Sequence, residues 1–171
     1  MRVTGVLVCA LMACAARAQN PLVTTATQRY FNGVRRNLEA SADAMPASKY
    51  GFRLTEGQMT FAEWLNHATQ RNYSDCAVMK GESVPEAEKE AAKLKHKGEV
   101  SKALKESFAY CAEALQGMDD QKAISSPAMS NALLHVLVHN NEIYGNVVGY
   151  LRVCGFIPPS TARRGNQGKK D

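Results

Sequence analysis

The chain has 171 residues, with 21 basic against 16 acidic side chains and a formal charge of +5; this length suits one domain with one core and excludes two ordinary ones. Removing the first 18 residues takes away Arg2 and Arg17 and lowers the charge to +3, too mild an excess to argue for nucleic acid as a partner. No internal repeat, Gly-rich phosphate loop, Ser-His-Asp order or paired zinc-knuckle cysteines occur in the sequence, which speaks against nucleotide use and serine hydrolysis.

In chain order, Arg2, an apolar stretch from Val3 to Ala13 and the small-residue run Ala16-Arg17-Ala18 follow the plan of a secretory signal peptide, with cleavage expected before Gln19. The apolar run is too short for a permanent membrane span. The mature protein is therefore expected outside the cytoplasm, periplasmic or secreted. A second processing pattern, Leu11-Met12-Ala13-Cys14, loosely resembles a lipobox and would leave Cys14 lipidated. Residues 19–160 are assigned to one helical domain, and residues 161–171, with Arg163, Arg164, Lys169 and Lys170, to a disordered basic tail.

A first helix is predicted from Leu22 to Ala42, where Leu22, Ala26, Tyr30, Val34 and Leu38 recur every four residues. Met45 to Met59, interrupted by Pro46, Gly51 and Gly57, is an ordered connection. Thr60 and Glu63 form a capping box that starts a second helix, stopped by Gly81. Phe61, Leu65, Ala68, Asn72 and Cys76 share one face of it. The Lys-rich stretch from Ser83 to Gly98 is a surface excursion, and a third helix spans Val100 to Leu115, with Leu104, Phe108, Cys111 and Leu115 on one side. Ser126-Pro127 starts the last helix, which is strongly apolar at Leu133, Leu134, Leu137, Val138, Val147, Val148 and Leu151. No sustained period-two alternation appears, so the expected architecture is all-α, four helices around one core.

The mature chain retains Cys76, Cys111 and Cys154. An oxidising compartment favours a Cys76–Cys111 pair, since both lie on helices expected to be neighbours, while three small buried hydrophobes is the equal alternative. Trp64, Tyr73, Tyr110 and Tyr144 sit at helical spacings that fit packing better than a ligand cage. His67 lies in the second helix, and His135 and His139 lie four apart in the fourth. Two histidines on one helix face and a third from a facing helix can hold zinc, nickel or iron and leave positions open. A hydrogen-bonded core histidine is the commoner arrangement.

The segments from Phe61 to His67 and from His139 to Asn146, followed by Tyr150-Leu151-Arg152 and Ile157-Pro158-Pro159, resemble the DinB-like (YfiT-like) family. Met45 to Arg53 resembles that family's first connection, and Phe108 to Cys111 its third helix. The resemblance implies an up-down-down-up four-helix bundle with a divalent metal held by three histidines. It places two of them at His67 and His139 and the third at position 143, where this chain has Ile143. An isoleucine has no lone pair to give. Three outcomes follow: a site rebuilt with His135, a weaker site completed by Glu142 or water, or a site lost for metal. Retained metal would activate a water or thiol, as in the family's hydrolases and small-thiol transferases. Without metal, the bundle would bind a small molecule or use its surface for a partner, as in a homodimer.

Overall fold

The computed structural model describes residues 22–167; the expected signal peptide and Cys14 lie outside them. The described chain is all-α, with no strand. Its helices are α1 (Leu22–Ala44), α2 (Phe61–Lys80), α3 (Ala87–Ala91), α4 (Lys97–Gln116), α5 (Asp120–Ala123), α6 (Pro127–Val153) and α7 (Pro159–Gln167).

Helix boundaries follow local chemistry. The Thr60 hydroxyl accepts from the Glu63 amide while the Glu63 carboxylate accepts from the Thr60 amide, so α2 begins on the expected capping box. It ends at Gly81, whose φ of 71° is a left-handed cap that a residue with a Cβ rarely adopts. The Ser126 hydroxyl caps α6, with Pro127 in its first turn.

The four long helices pack in the cyclic order α1, α4, α2, α6. Cross-helix contacts fix their directions. Asn72 meets Ser107 and Lys80 meets Glu113, so α2 and α4 run parallel. Trp64 meets Tyr150 and Asp75 meets His135, so α2 and α6 run antiparallel. Lys105 meets Asp43 and Gln28 meets the Leu115 carbonyl, so α1 opposes α4. Parallel neighbours need a long return, which residues 81–96 supply with α3 on the way.

Phe31, Leu38, Leu65, Leu104, Phe108, Ile143, Val147 and Leu151 are among the buried core residues. Burial of an aliphatic or aromatic side chain of this size contributes about 1.5–3 kcal/mol relative to exposure. The Cys76 and Cys111 sulfurs are bonded, with Cα atoms 5.2 Å apart, joining α2 to α4 inside this core. Cys154 is free. Trp64 donates to the Tyr150 hydroxyl, and the Tyr73 and Tyr110 rings pack 5.5 Å apart.

Several expectations are corrected. Ala26 and Tyr30 face solvent, and Thr27, Phe31, Val34 and Leu38 form the buried stripe of α1. A strict four-residue recurrence rotates about 40° per step around a helix of 3.6 residues per turn, so it leaves the core within two steps. Leu134 and Val138 are 61% and 65% exposed, so two of the apolar residues of α6 do not serve the core. The expected disordered tail from residue 161 is instead helical as far as Gln167. Pro159 fits a first turn, Tyr144 exchanges hydrogen bonds with Ser160, and Arg163 bonds Asn37 of α1. The short α5, capped by the Asp119 carboxylate, was also not expected.

Candidate metal centre

The antiparallel packing of α2 on α6 sets His67, Arg71 and Asp75, each four residues apart, opposite His135, His139 and Glu142. His67 Nε2 lies 2.9 Å from His139 Nε2, with the two rings at 84° to each other. The His135 ring stacks on that of His139, centroids 4.8 Å apart and planes within 15°. Carboxylates hold the outer nitrogens. His135 Nδ1 is 2.7 Å from Asp75 Oδ2, and His139 Nδ1 is 3.3 Å from Glu142 Oε2.

These partners assign the tautomers. A carboxylate only accepts, so His135 and His139 each carry a proton on Nδ1, and in the neutral ring Nε2 is then bare. The short contact between the two Nε2 atoms then requires His67 to donate its Nε2 proton to His139. His67 Nδ1 has no hydrogen-bond partner among the described residues, so moving the proton there would break only the bond to His139. A carboxylate behind an imidazole is also the usual support of a metal-ligating histidine, because it fixes the ring and raises its basicity.

Charge around the cluster is mixed. Arg71 donates to Asp75 Oδ1 at 3.0 Å, and Asp75 is buried. Burial first, and then the neighbouring His139 and Arg71, hold the His67 imidazole below its ordinary value of 6.5. Burial and then His135 do the same for His139, against the pull of Glu142. An unfolded chain therefore protonates these rings at higher pH than the folded one. The stability they carry is complete above about pH 6.5 and is lost as the pH falls through the depressed folded values. A urea midpoint measured at about pH 5 is expected below that at about pH 7.5, and the gap should shrink in a His67→Gln/His139→Gln variant.

Imidazole–zinc bonds of about 2.0–2.1 Å place two nitrogens about 2.9 Å apart at a right angle and about 3.4 Å apart at a tetrahedral one. The observed His67–His139 separation therefore fits a shared ion with little movement. A third donor is lacking as the side chains stand. Ile143 is fully buried in the core. Glu142 approaches His139 from its outer edge, and His135 is turned toward Asp75. Among the described residues no three histidine, cysteine, aspartate or glutamate side chains are grouped to hold a metal ion.

Beneath the histidines, Asn140 donates to Asn72 Oδ1 at 2.7 Å, and Asn72 donates to Ser107 Oγ at 3.1 Å. This buried chain links α6, α2 and α4. Arg71, Asp75 and Asn140 were not singled out from the sequence, although the four-residue spacing of Arg71 and Asp75 from His67 was available there. A cavity of about 360 Å³ opens beside His67, lined by Arg53, Gln58, Glu63, Asn66 and Gln70 among others.

Fold and site together define an all-α protein with a three-histidine cluster between two antiparallel helices, two of its rings held by carboxylates. Comparison of the chain with protein-family models, with curated proteins and with solved structures returns no match. Among the described residues no helix is long and apolar enough to cross a membrane.

Proposed function

We propose that this chain is an exported, DinB-like up-down-down-up four-helix bundle carrying an altered divalent-metal site, with His67 and His139 as its two principal ligands. The observation that carries the reading is the 2.9 Å approach of their Nε2 atoms from facing helices. Support comes from the carboxylates behind His135 and His139, which orient imidazoles as metal sites require. The directions of α1, α2, α4 and α6 agree with the bundle order that the sequence resemblance implies.

Ile143 removes the third ligand of the resembled family, and His135 is the replacement nearest to hand. Its bare Nε2 and its stacking on His139 put it one turn along the same helix, and rotation of its ring away from Asp75 would complete a three-imidazole set. Imidazole donors suit zinc, nickel or iron. A bound ion of this kind supplies Lewis-acid activation of water or of a thiol. Around it, Glu142 holds the proton on the outer nitrogen of His139, and Arg71 bonds the carboxylate of Asp75.

Equilibrium dialysis of untagged protein against zinc, nickel and iron(II), read by elemental mass spectrometry, tests the reading. Near-stoichiometric metal is expected in the wild type, with near-complete loss in His67→Ala and His139→Ala and weaker binding in His135→Ala. A wild type that retains none of the three metals would overturn the metal site. The fold would then stand as a ligand- or partner-binding bundle.

A further inference from the structure

The cavity beside His67 has a neighbour. A second cavity of about 240 Å³, lined by Tyr50, Thr60, Leu94 and Lys95 among others, shares Arg53, Glu63 and Ala92 with the first. The two form a slot between the connection that precedes α2 and the chain entering α4, with His67 at one end and Lys95 at the other. Its volume falls in the range of small-molecule sites.

The partition inside the slot is the Arg53–Glu63 ion pair, at 3.4 Å with both side chains nearly half exposed. Such a pair contributes little, about 0–1 kcal/mol. Glu63 does not depend on it. Its carboxylate is held by the Thr60 amide at 2.6 Å, which keeps it ionised below the ordinary carboxylate range, with lesser help from Arg53 and Lys95. Among the described residues Arg53 otherwise donates only to the Gln58 carbonyl, at 3.0 Å. Its planar fork can therefore turn to an incoming carboxylate at small cost and gain a bidentate bond. Arg53 and Lys95 outnumber the ionised Glu63 and leave the slot with a net positive charge. At the far end Asn66, Gln70 and His67 offer polar contacts.

We propose that this slot binds a small organic carboxylate, its acid group on Arg53 and Lys95 and its opposite end against His67. The inference rests on the histidine cluster being the reactive end of the site, but the binding step itself needs no metal. Chelator-treated protein titrated calorimetrically with succinate, and with its uncharged counterpart succinamide, separates the two questions.

Succinate is expected to bind at least tenfold more tightly than succinamide. Arg53→Gln should abolish the preference, and Ala92→Trp should block binding by filling the slot. Equal binding of acid and amide, no binding of either, or a preference that survives Arg53→Gln would overturn the proposal. None of these outcomes bears on metal retention, which dialysis reads independently.

Discussion

Replacing Cys76 and Cys111 together by alanine should lower the stability of the folded chain by about 3–4 kcal/mol, the loop-entropy value for a closed ring of this size. The bond closes a loop between residues 35 apart in sequence. That loop contains the whole return between two parallel helices, which is the stretch of chain with most freedom to lose. The sulfurs are fully buried, so the double variant also forfeits packing against α2 and α4. Urea denaturation of oxidised, reduced and Cys76→Ala/Cys111→Ala protein measures the effect. The reduced protein and the variant should both have midpoints well below that of the oxidised form. A midpoint insensitive to reduction would show that the cross-link does not form in the native protein. Asp75 is the neighbour of Cys76, so the same variants should loosen the support of His135.

The second large effect is expected from Ile143→His. The antiparallel register that joins His67 to His139 and Trp64 to Tyr150 sets residue 143 between these contacts. A histidine there would stand one turn from His139, on the side opposite His135. Two opposed changes are expected. The metal-free variant loses a buried aliphatic group and gains a polar one without a partner, a cost of about 2–4 kcal/mol. With zinc present at about a thousand times its dissociation constant, binding returns about 4 kcal/mol. Thermal denaturation with and without zinc should show a larger zinc-induced rise in Tm for the variant than for the wild type. An equal rise would mean that residue 143 does not share the histidines' ion.

The elements that could be read from the sequence were those with local punctuation. Thr60, Glu63 and Gly81 bracket α2, and Ser126-Pro127 opens α6, because caps act within four residues and leave a written signature. The orientation of α1 was less legible. Four-residue spacing and true helical spacing agree over one turn and diverge over three, so Val34 and Leu38 were placed inward correctly while Tyr30 was not. Leu134 and Val138 carry no local mark that distinguishes a core position from an exposed one.

At the site, His67, His135 and His139 could be named from spacing. Asp75 and Arg71 could not be given roles, since an acid and a base four apart usually form a surface pair. Their part depends on which residues of α6 they meet. The slot beside His67 was beyond reach for the same reason. Its walls come from residues 50–60, the first turns of α2 and residues 92–95, which only the folded chain brings together.

The buried amides beneath the histidines bear on how this site can change. Asn140 and Asn72 are paired with each other, and Asn72 is tied onward to Ser107. Sliding α6 one turn along α2, about 5.4 Å, would strand these groups at about 1–3 kcal/mol each. The pair acts as a ratchet pawl, permitting side chains to swing while forbidding the helices to shift. A third donor beside His67 and His139 could therefore come only from rotating a ring or from mutating a residue already facing the cluster, and His135 stands stacked on His139 there.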